Sequence, residues 1–355
     1  MKPGIVLLQD RAGEKIATGM LDPQHPIVVR VCQTQEPWQL NDDWAEAKFE
    51  NAISLRESSF GHATTGMRLI AGEGDGLPGL IVDRYEDAAV MKIDGGAPQH
   101  FYHAEGIANW MMQRLKLKAV VLRGRGKRSG QVIAGKLENH NVWFTENGLK
   151  FSADLMNGQK TGFFLDQRDN RALIRQLARG KSVLNLFSFS GGFSVAAGIG
   201  QAKHVTSVDL ASPAIEASKE HWKANGLSTE THEGVATDCF DFLGLQIKQG
   251  RQWDIVVCDP PSFAPSEQAK PNALAAYAKL ASMAAKVTSQ SGLLALASCS
   301  SHINAAEFAK CSYDGLGRAR RKASLVAERG LPVDHPTPLA MPELKYLKFQ
   351  LLQLD

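Results

Sequence analysis

Hydrophobic and polar positions follow two rhythms along this chain, and the places where one gives way to the other divide it into parts. Residues 4–32 read as short strands. Ile5-Val-Leu-Leu8 and Lys15-Ile-Ala-Thr18 flank the turn Gln9-Asp-Arg-Ala-Gly-Glu14, a hairpin signal, and Ile27-Val-Val-Arg-Val31 adds a third strand. Three short strands are marginal alone, so this piece is expected to lean on something else. From Asp42 to Phe60 the period becomes helical: Trp44, Phe49, Ala52, Ile53 and Leu55 recur on one face, with Asp42 or Asp43 as N-cap and Gly61 as stop. Residues 65–85 then read as strand, Gly-rich loop and strand. A helix over His103–Leu117, a strand at Ala119-Val-Val-Leu122 and two strands between Val142 and Leu155 around Glu146-Asn-Gly148 complete a unit of strands around one helix.

Beyond Phe151 the pattern changes again. A loop, Met156 to Arg168, leads into a helix, Arg168–Arg179, and then strands and helices alternate. The strands are Ser182–Leu186, His204–Asp209, Trp253–Asp259 and Gly292–Ser298. Between them lie a helix capped by Ser212, with Pro213 at its first position and Gly226 as terminator, and another around Leu274–Lys286. Strands joined by helical crossovers form a parallel sheet covered on both faces. Ala323–Glu328 and Tyr346–Leu352 read instead as a closing antiparallel hairpin. The sequence contains no internal repeat.

Length and charge sharpen this picture. At 355 residues the chain exceeds one usual domain. The formal charge of +3 is small, but cations cluster: Arg123, Arg125, Lys127 and Arg128 follow the Ala119–Leu122 strand, and Arg318, Arg320, Arg321 and Lys322 form a second group. Clusters of this kind suit a polyanion. The five cysteines are scattered without a C-x-x-C pair, which points to neither a disulfide framework nor a zinc or other metal site. No apolar run approaches the ~20 residues of a membrane span, and Met-Lys-Pro-Gly is no signal peptide, so the expected compartment is the cytoplasm.

The candidate chemistry lies at the carboxyl ends of the later strands, where open α/β sheets bind ligands. Phe187, Ser188, Ser190, Gly191 and Gly192 form a small-residue turn against which a ligand can lie. Asp209, about twenty residues on, suits the two hydroxyls of a ribose, and Asp238 the amino group of an adenine. The glycines do not form G-x-G-x-x-G, so a pyrophosphate fits poorly and a nicotinamide dehydrogenase is disfavoured. S-adenosylmethionine, an adenosyl group without phosphates, is the expected cofactor.

Asp259-Pro-Pro-Ser-Phe263 allows two readings. Asp259 and a carbonyl fixed by Pro260 and Pro261 can accept hydrogen bonds from an exocyclic amine while Phe263 stacks on the base, which suits N-methylation. The same residues can instead hold a cytosine whose chemistry happens elsewhere. Cys299 favours the second. Carbon 5 of cytosine is too weak a nucleophile to take a methyl from a sulfonium, but a thiolate added at carbon 6 turns the ring into an enamine. Such a cysteine must be partly ionised and exposed at the crevice. Cys299 stands between two serines at the mouth of its strand, whereas Cys258 lies one step inside its own, and Cys239 and Cys311 read as structural.

At this point a resemblance carries further. Asn157-Gly-Gln-Lys-Thr-Gly-Phe-Phe-Leu-Asp-Gln-Arg-Asp-Asn-Arg171, the Asn185–Ser194 loop, Asp259–Phe263, Ser298-Cys-Ser300, Asp334-His-Pro336 and Leu69-Ile-Ala-Gly-Glu-Gly-Asp-Gly-Leu-Pro-Gly79 together resemble the ribosomal RNA large subunit methyltransferase I family, which methylates cytosine at carbon 5. The resemblance implies an α/β fold in three parts: a PUA-like RNA-binding β unit (1–40), shorter than is usual, a central α+β domain (41–150), and a class I Rossmann-like methyltransferase domain with a mostly parallel seven-stranded sheet (151–355). It implies that Lys160, Thr161, Phe163, Asp166 and Gln167 approach the cofactor or the base, and that Cys299 is the nucleophile. Pro342-Glu-Leu344 departs from the family's usual Pro-Glu-Gly. The implied partner is large-subunit ribosomal RNA, its target base turned out of the stack and its flanking phosphates held by Arg123 to Arg128. The chain could act as a homodimer. Two rivals stay open: methylation of an exocyclic nitrogen, and a non-catalytic RNA-binding protein that keeps the cofactor pocket.

Overall fold

A single step in burial along β2 (Lys15–Leu21) shows how the first strands are stabilised. With β1 (Gly4–Gln9) and β3 (Val29–Gln33) it forms a three-stranded antiparallel sheet, and it passes from exposed at Lys15 to buried from Ala17 onward. Met20 and Cys32 enter the same core as Trp44, Phe49 and Ile53, so the small sheet leans on its neighbour as expected. The structure, a computed structural model, describes residues 2–124 and 129–355. Arg125, Lys127 and Arg128 of the basic run lie outside the described residues.

The chain divides into two compact units, the first comprising residues 1–148, 152–165 and 333–340, the second 149–151, 166–332 and 341–355. In the first, α1 (Asp42–Ser59) is capped by Asn41, whose side chain accepts the Trp44 N–H at 3.0 Å. Asp42 and Asp43, expected as caps, occupy the first turn instead, where carboxylates face the positive end of the helix dipole. A five-stranded sheet follows in the order β4 (Gly66–Ala71), β5 (Leu80–Tyr85), β6 (Ala88–Ile93), β7 (Ala119–Leu122), β8 (Gln131–Gly135). It is antiparallel except at β6/β7, where α2 (Ala97–Phe101) and α3 (Ala104–Leu115) make the crossover. The chain then forms a two-stranded ribbon of β9 (Asn141–Glu146) and β10 (Leu149–Asp154), turning at Asn147 and Gly148, both left-handed.

A buried ion network anchors this unit. Arg56, 1% exposed, donates to both Asp75 oxygens at 2.7 and 2.8 Å, to the Arg68 carbonyl at 2.9 Å and to the Asp334 carbonyl at 2.8 Å. The Asp334 carboxylate accepts the Arg68 N–H at 3.0 Å. Gly74 is required because a Cβ there would stand 1.8 Å from the Pro336 carbonyl oxygen. The Leu69–Gly79 and Asp334–Pro336 motifs, far apart in sequence, are therefore two halves of one packed feature.

The second unit alternates α4 (Arg168–Leu177), β11 (Ser182–Leu186), α5 (Gly192–Ile199), β12 (His204–Asp209), α6 (Ser212–Ala224), β13 (His232–Ala236), α7 (Cys239–Gln249), β14 (Trp253–Cys258), α8 (Lys270–Val287), β15 (Thr288–Ser298), α9 (Ala305–Ala319), β16 (Ala323–Arg329) and β17 (Lys348–Leu354). The seven strands stand in the order β13-β12-β11-β14-β15-β17-β16, parallel except for β17, which is antiparallel to both neighbours. The expected closing hairpin is present, with β17 inserted beside β15. Strand order reverses between β11 and β14, which places a ligand crevice at their carboxyl ends. Ser212 is not the cap of α6 but its first residue. Ala211 holds the cap position, and its N–H is taken by Asp209 at 2.9 Å.

Candidate active site at the strand ends

The turn after β11 is held in a conformation its residues would not choose. Phe187 and Phe189 both have left-handed backbones, φ 56° and 46°, although neither is glycine. Bonds from all sides impose it. The Phe187 N–H faces Cys239 Sγ at 3.2 Å, the Ser188 N–H donates to Val208 at 3.0 Å and the Phe189 N–H to Asp209 Oδ2 at 2.8 Å. Gly191, φ 78°, has no room for a side chain, since a Cβ would lie 2.1 Å from Ser218 Oγ. Buried His221 completes the cage with Nδ1 2.8 Å from the Ser190 carbonyl. Burial pushes its pKa down to about 4, so the ring is neutral and Nδ1–H is the donor. His221 was not legible as a site residue, because one histidine on an amphipathic helix carries no signal.

Inside this turn the Ser188 and Ser190 hydroxyls are buried without a protein partner, as is Asn185 Oδ1. Buried polar atoms of this kind call for a ligand. Asp209, half-buried, uses one lone pair on each oxygen for the Phe189 and Ala211 N–H groups and retains others for a diol. Asp238 proves to be the N-cap of α7: Oδ1 accepts from Phe240 at 2.8 Å and Asp241 at 3.1 Å, which leaves Oδ2 for an amine. The donor set therefore fits S-adenosylmethionine.

Across the reversal point, Asp259 Oδ1 accepts from Gln167 Nε2 at 2.8 Å, and Gln167 is itself fixed by Asn170 at 2.6 Å. Asp166 accepts from the Tyr346 hydroxyl at 2.8 Å. Pro260 is buried and Pro261 exposed. Phe263 is partly buried, its ring 6.4 Å from those of both Phe187 and Phe240 and 4.8 Å from that of Tyr277. The turn reaches the end of β15 through Ser262 Oγ and Ser300 Oγ, 2.8 Å apart.

Cys299 differs from the other cysteines. Cys32, Cys239, Cys258 and Cys311 are buried, and desolvation raises every one of their thiol pKa values, to about 12 for Cys32 and Cys239. Cys299 is half-exposed. Its neighbours are locked inward: Ser298 Oγ donates to the Tyr277 hydroxyl at 3.0 Å, and Ser300 Oγ is hydrogen-bonded to the same hydroxyl at 3.0 Å.

Other predicted residues belong to the first unit and are engaged there. Thr161 is buried and hydrogen-bonded to Tyr85 at 3.1 Å and to Asp83. Phe163 packs edge-on to Phe144, and its N–H donates to the Tyr85 hydroxyl at 3.2 Å. Lys160 is exposed over the Phe164 ring at 4.3 Å. Arg123 donates to the Gly158 carbonyl. Among the described residues there is no His/Cys/Asp/Glu cluster fit for a metal, and no helix is long and apolar enough to cross a membrane.

Residues 107–282 match the family model of S-adenosylmethionine-dependent methyltransferases. The solved structure of a Streptococcus mutans protein assigned as a SAM-dependent methyltransferase is 27% identical, covers 99% of this chain and 92% of its own, and superposes with a TM-score of 0.88. A methyltransferase solved in complex with SAH gives the same identity and coverage and a TM-score of 0.89. Fold, site and comparisons define a class I, S-adenosylmethionine-dependent methyltransferase with an α/β fold. A ribosomal RNA large subunit methyltransferase from Deinococcus radiodurans is 38% identical over 100% of this chain and 90% of its own length. The ribosomal RNA large subunit methyltransferase I of Photobacterium profundum is 34% identical over 97% and 88%. The chain belongs to the ribosomal RNA large subunit methyltransferase I family.

Proposed function

We propose that this chain methylates carbon 5 of a cytosine in large-subunit ribosomal RNA through a covalent adduct on Cys299. The observation that carries the reading is the contrast among the cysteines: the half-exposed one stands at the end of β15, joined through Ser300 and Ser262 to the Asp259–Phe263 turn. S-adenosylmethionine supplies the electrophilic methyl group. Ser188 and Ser190 would take its amino-acid end, Asp209 its ribose and Asp238 its adenine amine. Phe187, Gly191 and Gly192 shape the floor beneath it, and Asp166 and Gln167 approach the cofactor or the base. We assign Lys160, Thr161 and Phe163 to the same task on the strength of the family motif alone.

Asp259 and the backbone around Pro260 and Pro261 accept hydrogen bonds from the cytosine amine, and Phe263 lies against the base. The Cys299 thiolate adds to carbon 6. The resulting enamine makes carbon 5 nucleophilic enough to take the methyl, and loss of the carbon 5 proton restores the double bond as the carbon–sulfur bond breaks. Arg123, Arg125, Lys127 and Arg128 are assigned to backbone phosphates. We assign residues 1–40 to holding RNA as a PUA-like unit and 41–150 to a central α+β domain, and we expect the protein to act in the cytoplasm. The test is mass spectrometry of nucleosides from ribosomal RNA incubated with the protein and labelled cofactor, repeated with Cys299→Ala. The expected product is 5-methylcytidine, with the variant slower by about a thousandfold or more while it still binds cofactor. Undiminished methylation by the variant would transfer the chemistry to an exocyclic nitrogen and Asp259.

A further inference from the structure

Lys348 opens β17 and lies opposite Ser298 in the β15–β17 register, one position from Cys299. It is only 6% exposed, although lysine is among the residues least often buried. Its Nζ donates to the Ser300 carbonyl and, at 2.8 Å, to the Tyr346 carbonyl. Among the described residues no carboxylate forms an ion pair with it. A buried ammonium in that position needs a counter-charge.

Two acidic groups act on it, Cys299 and Glu307. Glu307 is already engaged: one oxygen is 2.9 Å from Lys270 Nζ and the other accepts the Asn304 N–H at 3.0 Å. Tyr277 is held neutral by burial and bonded to Ser298 and Ser300, and the Tyr346 hydroxyl donates to Asp166. The anion that remains for the lysine is a thiolate at Cys299.

We propose that Lys348 is the built-in counter-charge of the Cys299 thiolate, a positioning residue that clamps the end of β15 through the Ser300 carbonyl while its cation favours the ionised sulfur. This rests on reading Cys299 as the nucleophile. Burial lowers the lysine's own pKa to about 8.

The experiment is alkylation of Cys299 by iodoacetamide in the full chain as a function of pH, read at that cysteine by peptide mass spectrometry. Lys348→Met is expected to raise the midpoint by about one unit or more, slowing alkylation at neutral pH about tenfold, and Lys348→Arg to restore it. An unmoved midpoint in a Lys348→Met variant that melts and binds S-adenosylmethionine like the parent overturns the proposal. If that variant does not fold, the reciprocal measurement serves. In Cys299→Ala, the NMR titration of the Lys348 side chain should shift to lower pH, and an unchanged titration rejects the pairing. Failure of the carbon-methylation reading is separately visible, as methylation that survives Cys299→Ala.

Discussion

The two units treat buried polar groups in opposite ways. In the first, Arg56 has each of its donating groups matched, by Asp75, the Arg68 carbonyl and the Asp334 carbonyl. In the second, the turn after β11 buries the Ser188 and Ser190 hydroxyls with nothing to bond them and holds two phenylalanines in left-handed conformations. A closed network costs desolvation once and then rigidifies a fold. An open one destabilises the free protein and is relieved when a ligand arrives. Saturation marks the first network as architecture, and its lack leaves the second open to a ligand.

The largest test of this contrast is Arg56→Met. It leaves the Asp75 carboxylate buried and unpaired, which should cost about 3–5 kcal/mol in denaturant unfolding. Cofactor affinity, measured calorimetrically on the folded variant, should hold. A loss of affinity without a loss of stability would reverse the assignment of roles.

Next in size is the pH response of the cage around the open turn. His221 is neutral in the fold, with its pKa lowered by burial to about 4, whereas the unfolded chain protonates near 6.5. A depressed folded value means stability that is complete above pH ~6.5 and lost as pH falls toward 4, roughly 3 kcal/mol in all. His232, lowered to about 4 chiefly by burial, acts in the same window and direction. Urea midpoints between neutral pH and that acid limit should fall steeply in the parent and less in His221→Gln. Equal slopes would discard the histidine as a cage member.

The smallest effect is the most discriminating. Ser188→Ala and Ser190→Ala remove hydroxyls that lack partners, so the free protein should be unchanged or up to about 1 kcal/mol more stable. Cofactor binding should weaken by a similar free energy each, read as a several-fold rise in dissociation constant. Destabilisation of the free protein with intact binding would show that these hydroxyls serve the fold.

Much of this was legible from residue order. Strand–helix alternation after Phe151 specified a parallel sheet, and Asp209, Asp259 and Cys299 stand at the carboxyl ends of its strands as expected. What stayed hidden had physical causes. β6 begins with two alanines, which do not signal a strand, and β8 follows a glycine beside the basic run. Asp238 caps a helix, a role shared by every aspartate at such a boundary. Lys348 and Arg56 carried no signal in the sequence, because only tertiary packing reveals that a long cationic side chain has been drawn inside. The left-handed Phe187 and Phe189 are unforeseeable from propensity, which assigns such backbones to glycine.

The return of residues 333–340 to the first unit has a consequence for anyone who would take this enzyme apart. Asp334 arrives from far down the chain to close a network that Arg56 begins, so a fragment ending before Val333 would inherit an open arginine and an empty notch at Gly74. Exchange of front halves between relatives should fail unless this short late segment travels with them. The inheritable block is discontinuous, and its last piece is written far downstream of the rest.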